Sequence, residues 1–148
     1  MGLPAAAAAQ ANALPTMYDE DKHKRAVRAE AAKRGLAACM NDTKWRELLA
    51  EIAKLPFPPP YQRKDLLQAE PEPAAFEADV AYHGDWDEGL LPLFSVEWIR
   101  IRPRYLRHVA RRLPETPVDC EAELVRALQA LGQAYEQADD AIWIYGYR

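Results

Sequence analysis

Serine occurs once in this chain of 148 residues, cysteine twice and glycine six times, and these scarcities remove several chemistries before any motif is sought. A serine nucleophile is normally held out on a glycine-flanked elbow, whereas Ser95 lies inside the apolar run Leu93-Phe94-Ser95-Val96. Cys39 and Cys120 are too few for a disulfide framework, and without an export signal both are expected to be reduced thiols. Cysteine catalysis would need His23, His83 or His108 close to one of them, and no spacing suggests it. The scattered glycines form neither a Walker-type nor a Rossmann-type phosphate loop. Long hydrophobic runs are also missing. The charge-free stretch Gly2 to Tyr18 is mostly alanine interrupted by Pro4 and Pro15, a poor membrane span, and no positive side chain precedes it as a secretory signal requires. Residues 1–18 are therefore expected to be a flexible Ala-rich tail, and the chain to be cytoplasmic with no membrane partner.

What remains is a globular balance. Hydrophobic residues make up 49% and charged residues 28%, enough apolar material for one domain, expected over 19–148. The formal charge of −4 argues against a general nucleic-acid binder, because phosphate neutralisation needs a basic surface. The charge is unevenly spread, however. Glu70, Glu72, Glu77, Asp79, Asp85, Asp87 and Glu88 follow one another with no Lys or Arg between them. Arg100, Arg102, Arg104, Arg107, Arg111 and Arg112, with His108, then follow with no acid.

Periodicity supplies the elements. Asp19 to Ala38 is composed of good helix formers with Val27 and Leu36 as its only large aliphatics, so this helix is expected to dock lightly. Asn41, Asp42 and Thr43 are capping types ahead of Trp45, Leu48, Leu49 and Ile52, one face of a helix ending near Lys54. Pro56, Pro58, Pro59 and Pro60 then impose an extended segment, read as a rigid connector packed by Phe57 and Tyr61, with a polyproline ligand as the alternative. Phe76, Ala78, Val80 and Tyr82 alternate with Glu77, Asp79 and Ala81, which predicts a half-exposed strand turning at His83-Gly84-Asp85. A second strand is expected from Leu93 to Arg102 and a short helix over Leu106, Val109, Ala110 and Leu113. A longer helix capped by Asp119 follows, with a stripe of Leu124, Ala127, Leu128, Leu131 and Tyr135. In the last strand Ile142 and Ile144 oppose Trp143 and Tyr145. The pattern is an α+β domain, a small mostly antiparallel sheet of three or more strands against about four helices; strand order stays open, as does a parallel pairing through the final strand-helix-strand unit.

Three constellations carry possible chemistry. His83, Asp85, Asp87 and Glu88 include metal-ligand types, but with no second histidine and no calcium-loop pattern a solvated acidic turn is the preferred reading, and no metal or cofactor is expected. Arg100, Arg102, Arg104 and Arg107 with Tyr105 could contact phosphate and stack a base; the preferred reading pairs these arginines with the Glu70 to Glu88 acids across neighbouring strands. Trp86, set among acids, is either an interface anchor or a cap on the core.

The blocks MNDTKWRELL (Met40 to Leu49), PPYQRKDL (Pro59 to Leu66), HGDWDEG (His83 to Gly89), VEWIRIRP (Val96 to Pro103) and IWIYGYR (Ile142 to Arg148) together resemble an uncharacterised family of small bacterial proteins over Leu36 to Arg148. Small acidic proteins of this kind resemble immunity proteins, which plug the active site of a cognate toxin. That resemblance implies a binding protein, not an enzyme, whose partner is a toxin or effector protein met through Asp79, Asp85, Trp86, Asp87 and Glu88. An acidic surface with a central tryptophan would suit the basic cleft of a toxin that attacks nucleic acid. The alternative is a nucleic-acid-binding or regulatory module using Arg100, Arg102, Arg104, Tyr105 and Arg107.

Overall fold

The computed structural model describes residues 17–107 and 116–148. Helix α1 (Glu20–Arg34) begins where the Asp19 carboxylate accepts from the Lys22 N–H, and ends at Gly35, whose φ of 67° suits a residue without a Cβ. Helix α2 (Asp42–Ile52) begins in the same way, with the Asn41 side chain accepting from Lys44 N–H, and buries Trp45, Leu48 and Ile52. The prolines then carry the chain, with Pro59 and Pro60 fully buried, into β1 (Tyr61–Asp65).

After a long irregular segment and one 3₁₀ turn at Leu93–Ser95 come β2 (Val96–Ile101), β3 (Arg104–Arg107), β4 (Thr116–Asp119), α3 (Glu121–Leu131), β5 (Glu136–Ala138) and β6 (Ala141–Tyr145). The main sheet has the order β1-β2-β6-β5, and β3 and β4 form a separate two-stranded ribbon. Every pairing is antiparallel, including β2 with β6, so the strand-helix-strand ending makes no parallel crossover.

Alternation along the inner strands divides the sheet into two unlike faces. Ile99 and Ile101 of β2 and Ile142 and Ile144 of β6 form one core with Trp45, Leu48 and Ile52 of α2 and with Leu124 and Leu128 of α3. The opposite face carries Lys64, Trp98, Arg100, Trp143 and Tyr145, paired across the strands. Helix α1 sits apart, holding Val27 and Ala31 against Leu66 with Leu36, Phe94 and Tyr147 around them. A bridge between Ala38 and Tyr147 closes this corner.

Two expectations are corrected. The described residues contain three helices and not about four, because Arg104 to Arg107 is a strand paired with Thr116 to Asp119; Val109, Ala110 and Leu113 of the expected short helix lie outside the described residues. The strand expected over Phe76 to Tyr82 is absent. Phe76 and Val80 are buried, but Ala78 and Tyr82 on the same phase are exposed, and β2 already has β1 and β6 as its ladder partners. The strand that does form there, Tyr61–Asp65, is polar and has no apolar alternation to announce it.

Candidate functional site

The acidic turn is built on the proline segment. Pro58 O accepts from Gly84 N–H at 3.1 Å, and Pro59 O accepts from Trp86 Nε1 at 2.8 Å. The Tyr61 ring lies 4.3 Å from that of Trp86, and its hydroxyl donates to the carbonyl of Asp85. Burial, reinforced by the nearby Asp85 carboxylate, pushes the Tyr61 phenol up to about 12, so it stays a donor. A Cβ on Gly84 would run into the Pro59 carbonyl, and one on Gly89 into the Tyr61 hydroxyl, so the chain can approach this closely only as glycine. Downstream, Arg63 fastens the loop's exit: its Nε donates to Leu90 O at 3.1 Å and its Nη2 to Pro92 O at 2.9 Å.

This scaffold presents Asp85, Asp87 and Glu88 on one turn, where Asp85 Oδ1 accepts from the Asp87 and Glu88 N–H groups at 3.2 and 3.1 Å. Glu77 and Asp79 lie on the preceding segment, which is joined to β3 where Leu106 N–H donates to Val80 O. All five side chains are exposed, and among the described residues none forms an ion pair. Trp86 is different: it is only 8% exposed and belongs to the core cluster. Of its two readings, interface anchor and cap on the core, this burial matches the cap. The exposed apolar side chains beside the turn are Tyr82 and Leu91, at 47% and 50%; Tyr82 had the phase of a buried strand residue, and no pattern marks Leu91.

The described arginines are divided: Arg100 and Arg102 share the Phe76 ring, at 5.7 and 4.9 Å, while Arg104 and Arg107 lie on β3. Arg102 is buried, with Nη2 donating to Phe76 O at 3.1 Å, and burial followed by the neighbouring Arg100 charge lowers its pKa. Arg104 is held by Asp119, Glu121 and Asp140 at 3.0, 3.5 and 3.2 Å. For Arg104 the expected pairing with the Glu70 to Glu88 acids is thus replaced by pairing across the β3–β4 ribbon, where it stands opposite Asp119. Tyr105 packs edge-on against Phe57 and His83, at 4.6 and 4.5 Å, and Arg107 is exposed. Arg100 alone remains on the sheet face away from the helices, its guanidinium 5.2 Å from the Trp143 ring. His108, Arg111 and Arg112 lie outside the described residues.

Ser95 and Cys120 are engaged or buried in the structure, whereas Cys39 is exposed. Ser95 Oγ donates to Asp65 Oδ2 at 2.7 Å, beside the Arg63–Asp65 ion pair at 3.0 Å. Burial acts to raise the Asp65 pKa, but the Ser95 hydroxyl, the Leu67 N–H and Arg63 outweigh it and hold the carboxyl below its ordinary range. Cys120 is fully buried, and burial with the Asp119 and Glu123 charges pushes its thiol up to about 12. Among the described residues no group of three or more His, Cys, Asp or Glu side chains comes together in a form that could hold a metal, and no helix is long and apolar enough to cross a membrane. A groove of about 570 Å³ runs between the starts of α1 and α2 and the 91–94 segment, with Trp45 and Leu93 among its lining and Lys24, Arg46 and Leu91 along it.

The architecture defines the class: an α+β protein whose antiparallel sheet has helices on one face and a half-exposed aromatic face on the other. Residues 27–148 match the model of a family of unknown function, DUF6678, and the chain belongs to that family. No curated protein and no solved structure matches it.

Proposed function

We propose that this chain is a binding protein that captures a basic partner protein on its acidic turn, as a cytoplasmic bacterial immunity protein captures and blocks a cognate toxin. The observation that carries the reading is the rigid presentation of Asp85, Asp87 and Glu88: three exposed carboxylates without ion-pair partners among the described residues, on a turn tied to Pro58, Pro59 and Tyr61. A surface fixed before binding loses little conformational entropy on association, and clustered charge of one sign speeds the encounter with an opposite surface. Glu77 and Asp79 extend the field. Tyr82 and Leu91, exposed on either side of the turn, take the anchoring role that buried Trp86 cannot fill. The engagement of Ser95 by Asp65 and the high pKa of the Cys120 thiol also support binding over covalent chemistry. The arginine alternative has less support, since Arg102 is buried and Arg104 is already neutralised.

The test is capture of the partner from host lysate with the tagged chain, followed by association kinetics. Reversing Asp85 and Asp87 to Lys is expected to slow association roughly tenfold at low salt and to have less effect at high salt, where screening is stronger. Unchanged affinity and unchanged association rate after both reversals would remove the acidic turn from the interface.

A further inference from the structure

A second surface carries an inference that does not depend on the acidic turn. On the sheet face away from α2 and α3, the inner strands β2 and β6 set four side chains in a square, Trp98 opposite Tyr145 and Arg100 opposite Trp143. All four are half-buried. The Trp98 and Trp143 ring centres are 4.9 Å apart, and the Trp143 and Tyr145 planes lie within 16° of one another at 6.5 Å. Guanidinium groups stand over two of these rings, Arg100 at 5.2 Å from Trp143 and Arg148 at 4.5 Å from Tyr145.

Of the charges at and around the square, Arg100 and the buried Arg102 that shares the Phe76 ring with it have no ion-pair partner among the described residues. Arg148 pairs with Glu136, and Lys64 with Glu97. Arg100 has no acidic partner among the described residues, and its Nε is buried with no hydrogen-bond partner. Its guanidinium lies between Trp143 and Phe76, 5.7 Å from the latter, with no carboxylate to neutralise it. A cation without an anion, set against flat rings, complements a phosphate attached to a planar base.

We infer that this aromatic square binds single-stranded nucleic acid, with bases stacked on Trp98, Trp143 and Tyr145 and a phosphate on Arg100. Bases in a duplex are stacked on each other and offer no free face, so the strand must be single. A carboxylate from an acidic peptide would satisfy Arg100 but make no use of the Trp98 ring, over which no guanidinium of the described residues stands. With one free cation among the described residues of the square, few phosphates are neutralised, so the salt dependence is shallow, about −0.7 in the log-log slope for each phosphate.

The test titrates the full chain with a deoxythymidine oligonucleotide of about ten residues while tryptophan fluorescence is read. Trp45 and Trp86 are buried, so quenching by stacked bases reports Trp98 and Trp143. Saturable quenching is expected, weakened roughly tenfold by Trp143→Ala, largely retained by Trp143→Phe, and weakened by Arg100→Gln with a flatter salt dependence. Absence of quenching overturns the inference, as does equal quenching by a duplex of matched length. Equal competition by polyglutamate also overturns it and assigns the face to an acidic protein. If Trp143→Ala fails to fold by circular dichroism, Arg100→Gln and the competitors decide the matter. The double variant Asp85→Lys, Asp87→Lys leaves the quenching no weaker, which separates this surface from the acidic turn.

Discussion

The indole Nε1 of Trp86 donates to the carbonyl oxygen of Pro59 over 2.8 Å, and this bond joins the middle of the acidic turn to a backbone that prolines have already stiffened. The tryptophan serves the surface from beneath. Its ring packs on Tyr61, its N–H satisfies a buried carbonyl, and the flanking acids face outward because it faces inward.

Trp86→Phe tests that arrangement. The ring remains but the donor is lost, leaving Pro59 O without its partner, at an expected cost of about 1–3 kcal/mol. Urea denaturation at neutral pH measures it. The same variant is expected to lower affinity for a captured partner, because the turn is no longer fixed before binding.

Gly84→Ala is expected to be more disruptive than its size suggests. The added Cβ meets the Pro59 carbonyl, the Trp86 indole nitrogen and the Tyr61 ring, and two of these belong to a rigid segment. A loss of about 2 kcal/mol is expected, in the range for overpacking a well-filled site. Gly132→Ala is the comparison: nothing lies within 4 Å of its Cβ, and only the φ of +66° is unfavourable, so about 1 kcal/mol is expected. Thermal or urea unfolding of the two variants under one set of conditions ranks them.

Stability should fall as acid is added, and Asp65 should account for part of the fall. Burial raises its pKa but the Ser95, Leu67 and Arg63 donors lower it further, so the folded value lies below the ordinary 3.8. Glu97 behaves alike: burial is outweighed by Arg34 and Lys64, and its value drops below 4.5. A depressed carboxylate binds protons more weakly when folded than when unfolded. Its contribution is complete above the unfolded pKa and disappears as pH falls through the folded one. Asp65→Asn is therefore expected to be less stable than the parent near neutrality and to lose less on going to about pH 3, as followed by urea denaturation across that range.

The two thiols should react very differently. Cys39 is exposed, whereas Cys120 is buried with its thiol pushed up to about 12. Near pH 8 a thiol-specific chromogenic reagent is expected to label one thiol quickly in the native protein and the second only after denaturant is added. Rapid labelling of both would show that α3 opens at its start far more easily than its packing implies.

How much of this was legible in the sequence depended on whether a residue's partner lay nearby in the chain. Trp45, Leu48 and Ile52 announce α2 because helix periodicity is local, and the alternation from Ala141 to Tyr145 announces β6 in the same way. Strand β1 was hidden because its Arg63 and Lys64 are satisfied by Asp65, Glu97 and the carbonyls of Leu90 and Pro92, most of them about thirty residues away. The Phe76 to Tyr82 alternation misled for the converse reason: it marks burial of Phe76 and Val80 against other segments, without a ladder partner. For Trp86, sequence supplied two readings, and only the position of Pro59 decides between them. The square of Trp98, Arg100, Trp143 and Tyr145 needed the β2–β6 register, which joins residues more than forty positions apart.

The bridge from Ala37 and Cys39 to Arg148 and Gly146 also sets a timetable for the growing chain. A ribosome makes α1 before β1 to β6, yet part of what it rests on, the Tyr147 ring and the backbone beside it, follows all six. With Val27 and Ala31 as its only buried residues, α1 has little reason to settle sooner. Strand β2 must likewise wait for β6 before its second edge is covered. The sheet is therefore complete only once β6 has been made, and a nascent chain halted before Ala141 would leave Ile99 and Ile101 beside an open sheet edge, a form suited to chaperone binding and to aggregation.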